Sequence, residues 1–158
     1  MSKLLIPSKY SRIAIFTSLF ILKAAYTCFF KNEKIMGVLL FLSYIFTNLH
    51  WYNLKSTGLI RTIDILVVIV TFICGTLRSL TYDCALEFNK KSIIVIFMFC
   101  FNEKLNSKYL YIAEFKNKSE FEKSLIYIRC VLIHTYFLHI YQMENACYVV
   151  NNCKQLLS

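Results

Sequence analysis

From Ile35 to Leu54 the chain runs without one Asp, Glu, Lys or Arg. A helix needs about 20 predominantly apolar residues to cross the hydrocarbon core of a bilayer, and this stretch supplies them. Two similar runs flank it. Residues 13–30, IAIFTSLFILKAAYTCFF, lie between Arg12 and Lys31. Residues 59–80 carry Arg61 and Asp64 near their start and Arg78 near their end. The connectors KNEK and NLKST are short enough to make the three segments antiparallel neighbours. Residues 1–80 therefore read as an N-terminal bundle of three transmembrane helices, at 13–30, 35–54 and 59–80. Trp51 and Tyr52 fall near the end of the second span, at the depth where aromatic belts sit. Lys3, Lys9 and Arg12 precede the first apolar run, but no small-x-small cleavage site follows it, so a retained span is expected.

Composition points the same way. The chain has 158 residues, 58% of them hydrophobic and only 17% charged, against about a quarter charged in a typical soluble domain. A water-soluble fold of this size cannot bury so much apolar surface, so the excess faces lipid or a large partner. The expected partners are the lipid bilayer and other membrane proteins. The net charge of +9 is spread singly or in pairs between apolar segments, without the continuous basic face that tracks phosphates, so no nucleic-acid partner is expected. Seven cysteines without a CxxC spacing suggest neither a disulfide framework nor a thiolate zinc site. Cys147 and Cys153 could pair if their end of the chain faced an oxidising space, but free thiols are expected.

Beyond residue 80 the pattern changes to a basic, aromatic region, 81–118. The run SIIVIFMFCF at 92–101 is shorter than a spanning helix and has the length of a strand. With ALEF before it and KYLYIAEF after it, a short β-hairpin over about 82–115 is expected. The alternative is a short or re-entrant membrane segment at 92–101. SEFE at 119–122 matches a capping box ahead of an apolar run, which predicts a long membrane-associated or spanning helix over 119–143. A polar tail with a partly helical start follows at 144–158. The expected fold class is thus an all-α, multi-pass membrane bundle of three spans plus a C-terminal membrane helix.

Polar residues inside apolar spans are costly and mark pairs or sites. At about 100° per helical residue, Ser43, Thr47 and His50 form one stripe on the second span. Asp64, Thr71, Gly75 and Arg78 share a face of the third in the same way. Lys23 lies within the first. The cluster Lys23, Ser43, Thr47, His50, Arg61 and Asp64 is expected to be a membrane polar cluster in which Arg61, or else Lys23, pairs with Asp64. All three histidines lie in or beside candidate spans. With a carboxylate they make a conceivable ligand set for catalytic zinc: His50, Asp64, His134 and His139.

The order Ser43, His50, Asp64, His134, His139 resembles that of the alkaline-ceramidase-like membrane hydrolases. In that superfamily a Ser and a His in one span, an Asp in the next and two His in the last build a zinc site. The resemblance implies a membrane-embedded zinc-dependent hydrolase. Two spacings depart from the family's pattern. Ser43 lies two turns before His50 rather than one, and His134 and His139 are five apart rather than four. On a regular helix five residues turn through about 140°, which separates the two imidazoles. The family also has seven spans, more than this chain supplies.

No P-loop, GxGxxG, HExxH or GxSxG occurs. The primary expectation is therefore a small accessory, scaffolding or complex-subunit membrane protein without catalysis of its own, with the zinc hydrolase as the alternative. A chain heavy in Lys, Asn, Ile, Phe and Tyr suits an AT-rich coding genome, as in some large DNA viruses and unicellular eukaryotes, and hence an endomembrane or viral-type membrane. Cytoplasmic loops carry the Lys and Arg excess. If 92–101 spans, Lys3, Lys9, Arg12, Lys55, Arg61 and the lysines of 102–123 outweigh Lys31, Lys34, Arg78, Lys90, Lys91 and Lys154. If it does not, Lys31, Lys34, Arg78, Lys90 and Lys91 join the 102–123 lysines instead. Both arrangements put residues 102–123 in the cytosol. The sequon Asn117-Lys118-Ser119 is then out of reach of lumenal glycosylation. Expression in a eukaryotic cell is expected to leave Asn117 bare. A glycosidase-sensitive mobility shift that disappears in Asn117→Gln would reverse the orientation.

Overall fold

The computed structural model describes residues 6–52, 59–110 and 118–156. Among these residues the chain is helical, with no strand: α1 Ser8–Thr17, α2 Leu19–Phe30, α3 Lys34–Tyr52, α4 Leu59–Ser79, α5 Ala85–Leu110, α6 Glu120–His134, a π-helical turn at Thr135–Tyr141, and α7 Gln142–Asn152. Four helical stretches are long and apolar enough to cross a membrane: Lys9–Phe30, Lys34–Tyr52, Leu59–Ser79 and Glu120–Asn152. The three N-terminal segments read from sequence are among them.

Local chemistry explains where the helices turn. The α1–α2 junction at Ser18 coincides with side-chain competition for backbone carbonyls. Thr17 Oγ1 donates to the Ile13 carbonyl and Ser18 Oγ to that of Ile15, the kind of back-bonding that bends helices. At the end of α2, Asn32 takes φ 64°. The Glu33 and Asn32 amides donate to the carbonyls of Cys28 and Phe29, closing a Schellman motif with Asn in the left-handed position. At α6 the expected capping box is present: Ser119 accepts from the Glu122 amide, and Glu122 accepts from that of Ser119.

The expected β-hairpin over 82–115 is replaced by α5, which runs for 26 residues, about 39 Å at the usual rise. Residues 92–101 are the middle of this helix rather than a strand or a short re-entrant segment. Residues 111–115, part of the expected third strand, lie outside the described residues, as do the NLKST connector and Asn117. The reason is a helical face hidden among the β-branched residues. Phe88, Ser92, Val95 and Asn102 are all buried, whereas Ile93, Ile94, Ile96 and Phe97 are exposed. The buried set falls at helical spacing and meets α6, the π turn and α7 in antiparallel order. Asn145 Nδ2 donates to the Phe88 carbonyl, Gln142 Nε2 to Ser92 Oγ, and Asn102 Nδ2 to the Cys130 carbonyl. Tertiary hydrogen bonding has overridden β-propensity.

The same antiparallel packing corrects the cysteine reading. Cys84, before α5, and Cys153, after α7, form a disulfide across a sequence separation of 69 residues. Cys147 is buried in α7, its Sγ 3.7 Å from Thr27 Oγ1. The helical start expected for residues 144–158 is α7, which runs to Asn152 with Cys147 and Val149 in the core. Residues after α7 fold back onto the α4–α5 turn, where Leu156 N donates to the Thr81 carbonyl and Asp83 N to that of Lys154.

Candidate functional site

The two polar stripes predicted on α3 and α4 do face one another. Ser43 Oγ and Thr71 Oγ1 are 3.0 Å apart, and Thr47 Oγ1 donates to Asp64 Oδ1 at 2.8 Å. Asp64 is buried, and among the described residues no ion pair reaches it within 4 Å. The expected Arg61–Asp64 and Lys23–Asp64 pairs are not what forms. Arg61 reaches across to Glu103 of α5 at 3.6 Å, and Lys23 pairs with Glu144 of α7 at 2.6 Å. Glu103 lies in the expected hairpin region and Glu144 in the expected tail, so neither pairing was legible from the sequence.

The histidines gather more closely than regular helix geometry allows. The π turn begins immediately after His134, and His139 lies within it. In a π-helix the hydrogen bond runs from i to i+5, and the wider turn brings residues five apart nearer to one face than a regular helix does. The two rings stand edge to face with centroids 5.1 Å apart. Trp51 packs on His134 at 4.9 Å and on its neighbour His50 at 5.8 Å, and Phe99 of α5 approaches His134 at 6.5 Å. His139 Nδ1 lies 3.0 Å from Thr17 Oγ1. The sequence carries no π signature here, so this juxtaposition was missed.

These groups border one cavity of about 220 Å³ between α3, α4, α5 and the α6–π–α7 unit. Ser43, Thr47, His50, Asp64, His134 and His139 all line it, with Leu40, Val68, Phe72 and Leu138 supplying apolar wall. Lys23 does not line it. Asn102 of α5 and Gln142 of α7 join the polar lining. The missed signal for Asn102 was its place on the 88–92–95–102 helical stripe.

Tetrahedral zinc, with ligand bonds of about 2.0–2.2 Å, needs converging donors. Among the described residues, the group of three or more such side chains whose donor atoms all lie within 4.8 Å of one another is Asp83, Cys84 and Cys153, two of which are spent on the disulfide. The His50, Asp64, His134, His139 set shares a cavity without converging in this way. Trp51 lies against both His50 and His134, and His139 Nδ1 faces Thr17. As placed, these four side chains do not present their donor atoms to one point.

At the opposite end the cavity reaches Glu33, Arg78 and Tyr82. Arg78 grips Glu33 with two donors, Nε at 2.9 Å and Nη2 at 2.5 Å, and the Tyr82 hydroxyl donates to the same carboxylate at 2.7 Å. The Arg78 guanidinium, followed by the Tyr82 hydroxyl, holds the Glu33 carboxyl below its ordinary range despite partial burial. Burial, then the nearby Glu33, pushes the Tyr82 phenol up to about 12.

The chain matches no protein-family model, and neither a curated protein nor a solved structure matches it.

Because the Glu33 pKa is lowered on folding, its clamp contributes stability fully above the ordinary glutamate value of about 4.3 and loses it as pH falls through the folded value. Glu33→Gln is expected to lower the thermal midpoint near pH 7 by a shift worth about 1 kcal/mol. That gap should narrow as pH falls below the ordinary glutamate value and close once it is below the folded one. A gap that persists unchanged at low pH would show that charge has no part in the clamp.

Proposed function

We propose that this chain is a multi-pass integral membrane protein that takes a lipid-class molecule into the cavity between its helices. The observation that carries the reading is a largely apolar cavity, bordered by buried polar side chains of α3, α4 and α5, inside a bundle whose outward faces are apolar. Concave apolar sites with a few convergent polar groups are the usual form of small-molecule sites. A buried carboxylate such as Asp64, inside an apolar span, marks a functional position by its cost alone. At about 220 Å³ the cavity is smaller than the roughly 300–1,000 Å³ typical of drug-sized ligands. It suits one chain or one small ring system, not a two-tailed phospholipid.

The reading gives concrete content to an accessory or complex-subunit role: a component that binds a membrane lipid. Outward faces such as Leu66, Val70 and Ile73 of α4 and Ile93, Ile96 and Phe97 of α5 suit contact with the bilayer or other membrane proteins. In this proposal α5 crosses as well, making five passes. Residues 102–123 then lie on the side that also holds Lys9, Arg12 and Arg61, the cytosolic face by the positive-inside rule. The Cys84–Cys153 disulfide lies at the opposite end, consistent with an oxidising lumen or exterior.

Filling the cavity tests the binding reading. Gly75 lines it, and a Cβ there would meet Met36 Cε at an ordinary 3.5 Å. Gly75→Leu also raises helix propensity. Wild-type protein purified in mild detergent should retain a single-chain or small-ring lipid enriched several-fold over the bulk extract, as read by mass spectrometry. Gly75→Leu, with unchanged helicity, should lose it. No enriched lipid in the wild type, or equal enrichment in both, would sink the proposal.

A further inference from the structure

Two buried polar atoms bordering the cavity have no hydrogen-bond partner among the described residues: the indole Nε1 of Trp51 and the amide Oδ1 of Asn102. Trp51 is 5% exposed and Asn102 1% exposed. Leaving such groups unpaired is expensive, and native structures rarely tolerate it. They belong to the same end of the cavity. Asn102 and Phe99 share one face of α5, as Cys130 and His134 share one face of α6. Asn102 donates to the Cys130 carbonyl, Phe99 approaches His134, and Trp51 packs on that same imidazole.

The two orphans differ in kind. Trp51 Nε1–H only donates, and Asn102 Oδ1 only accepts. A ligand headgroup that completes both must accept and donate at once. A phosphate or carboxylate only accepts, so it leaves Asn102 Oδ1 unpaired, and it would also face the buried Asp64 carboxylate. An ammonium only donates, which leaves the indole unpaired. A ketone or ester accepts without donating. A hydroxyl does both, and it carries no charge into the apolar interior.

The geometry points to an uncharged, hydroxyl-bearing lipid, of one chain or one small ring system, as the ligand of this cavity. Its oxygen accepts from Trp51 and its proton is donated to Asn102. Trp51 and Asn102 are then the specificity-determining residues, while Leu40, Val68, Phe72 and Leu138 accommodate the apolar part. This inference rests on the proposal that the cavity binds lipid, and it names the headgroup.

Trp51 is the single tryptophan of the chain, so its fluorescence reports on this end alone. The full-length protein in phosphatidylcholine nanodiscs is titrated with a dibrominated octadecanol, whose bromines quench indole on contact, and with the methyl ether of the same alcohol. The ether can accept from Trp51 but cannot donate to Asn102. The alcohol is expected to quench saturably at about tenfold lower concentration than the ether. In Asn102→Leu, checked for helicity and melting, alcohol and ether should become equivalent. Equal wild-type affinity for alcohol and ether would overturn the hydroxyl assignment while leaving lipid binding intact. A wild-type preference that survives in Asn102→Leu would remove Asn102 from the assignment. No saturable quenching by either probe, with wild type and Gly75→Leu alike, would overturn the cavity reading itself.

Discussion

The structure depends on small polar side chains hydrogen-bonded between helices that are otherwise apolar. Ser18 and Asn48 join the α1–α2 junction to α3, Ser43–Thr71 and Thr47–Asp64 join α3 to α4, Thr17 meets His139, and Ser92–Gln142 with Asn102–Cys130 joins α5 to the C-terminal helices. In lipid the hydrophobic effect gives helices little reason to choose one neighbour over another, so packing and such bonds decide the arrangement. Each contributes only about 0.6 kcal/mol on average in a comparable membrane bundle. Their value lies in register: each fixes which residues of two helices stand opposite one another.

That register creates the cavity. Ser43 and Thr71 hold α3 and α4 together at mid-height, while Asn102 and Ser92 hold α5 against α6 and α7. The cavity lies between these two pairings. The Glu33–Arg78–Tyr82 clamp and the Cys84–Cys153 disulfide fix one end, and Arg61–Glu103 ties α4 to α5 at the other. Charges lie at both ends, and between them the apolar wall is interrupted by the hydroxyl pairs, Asp64, the histidines, Asn102 and Gln142.

Much of this was legible in the residues. The charge-free run through α3 and its partners α2 and α4 announced themselves by length and hydropathy, and the Ser-x-x-Glu box marked the start of α6. The stripes Ser43–Thr47–His50 and Asp64–Thr71–Arg78 were visible at helical spacing, and they meet as that spacing implied. What failed did so for identifiable reasons. The β-branched surface of α5 masked a buried stripe that only its partners on α6 and α7 make recognisable. Lys23 and Arg61 found their carboxylates, Glu144 and Glu103, on those misread segments. A π turn, invisible to a 100° wheel, brought His134 and His139 together. The disulfide joins cysteines that become neighbours only once α5 and α7 are antiparallel.

The placement of α5 is therefore the point on which both fold and site turn, and cross-linking tests it directly. Cysteines introduced together at Ser92 and Gln142 should couple on mild oxidation of the full-length protein in membranes, giving one linked peptide pair by mass spectrometry. Cysteines at Ile93 and Gln142 should not couple, because Ile93 lies on the outward, exposed face of α5. Equal coupling of the two pairs, or preference for the Ile93 pair, would contradict the account.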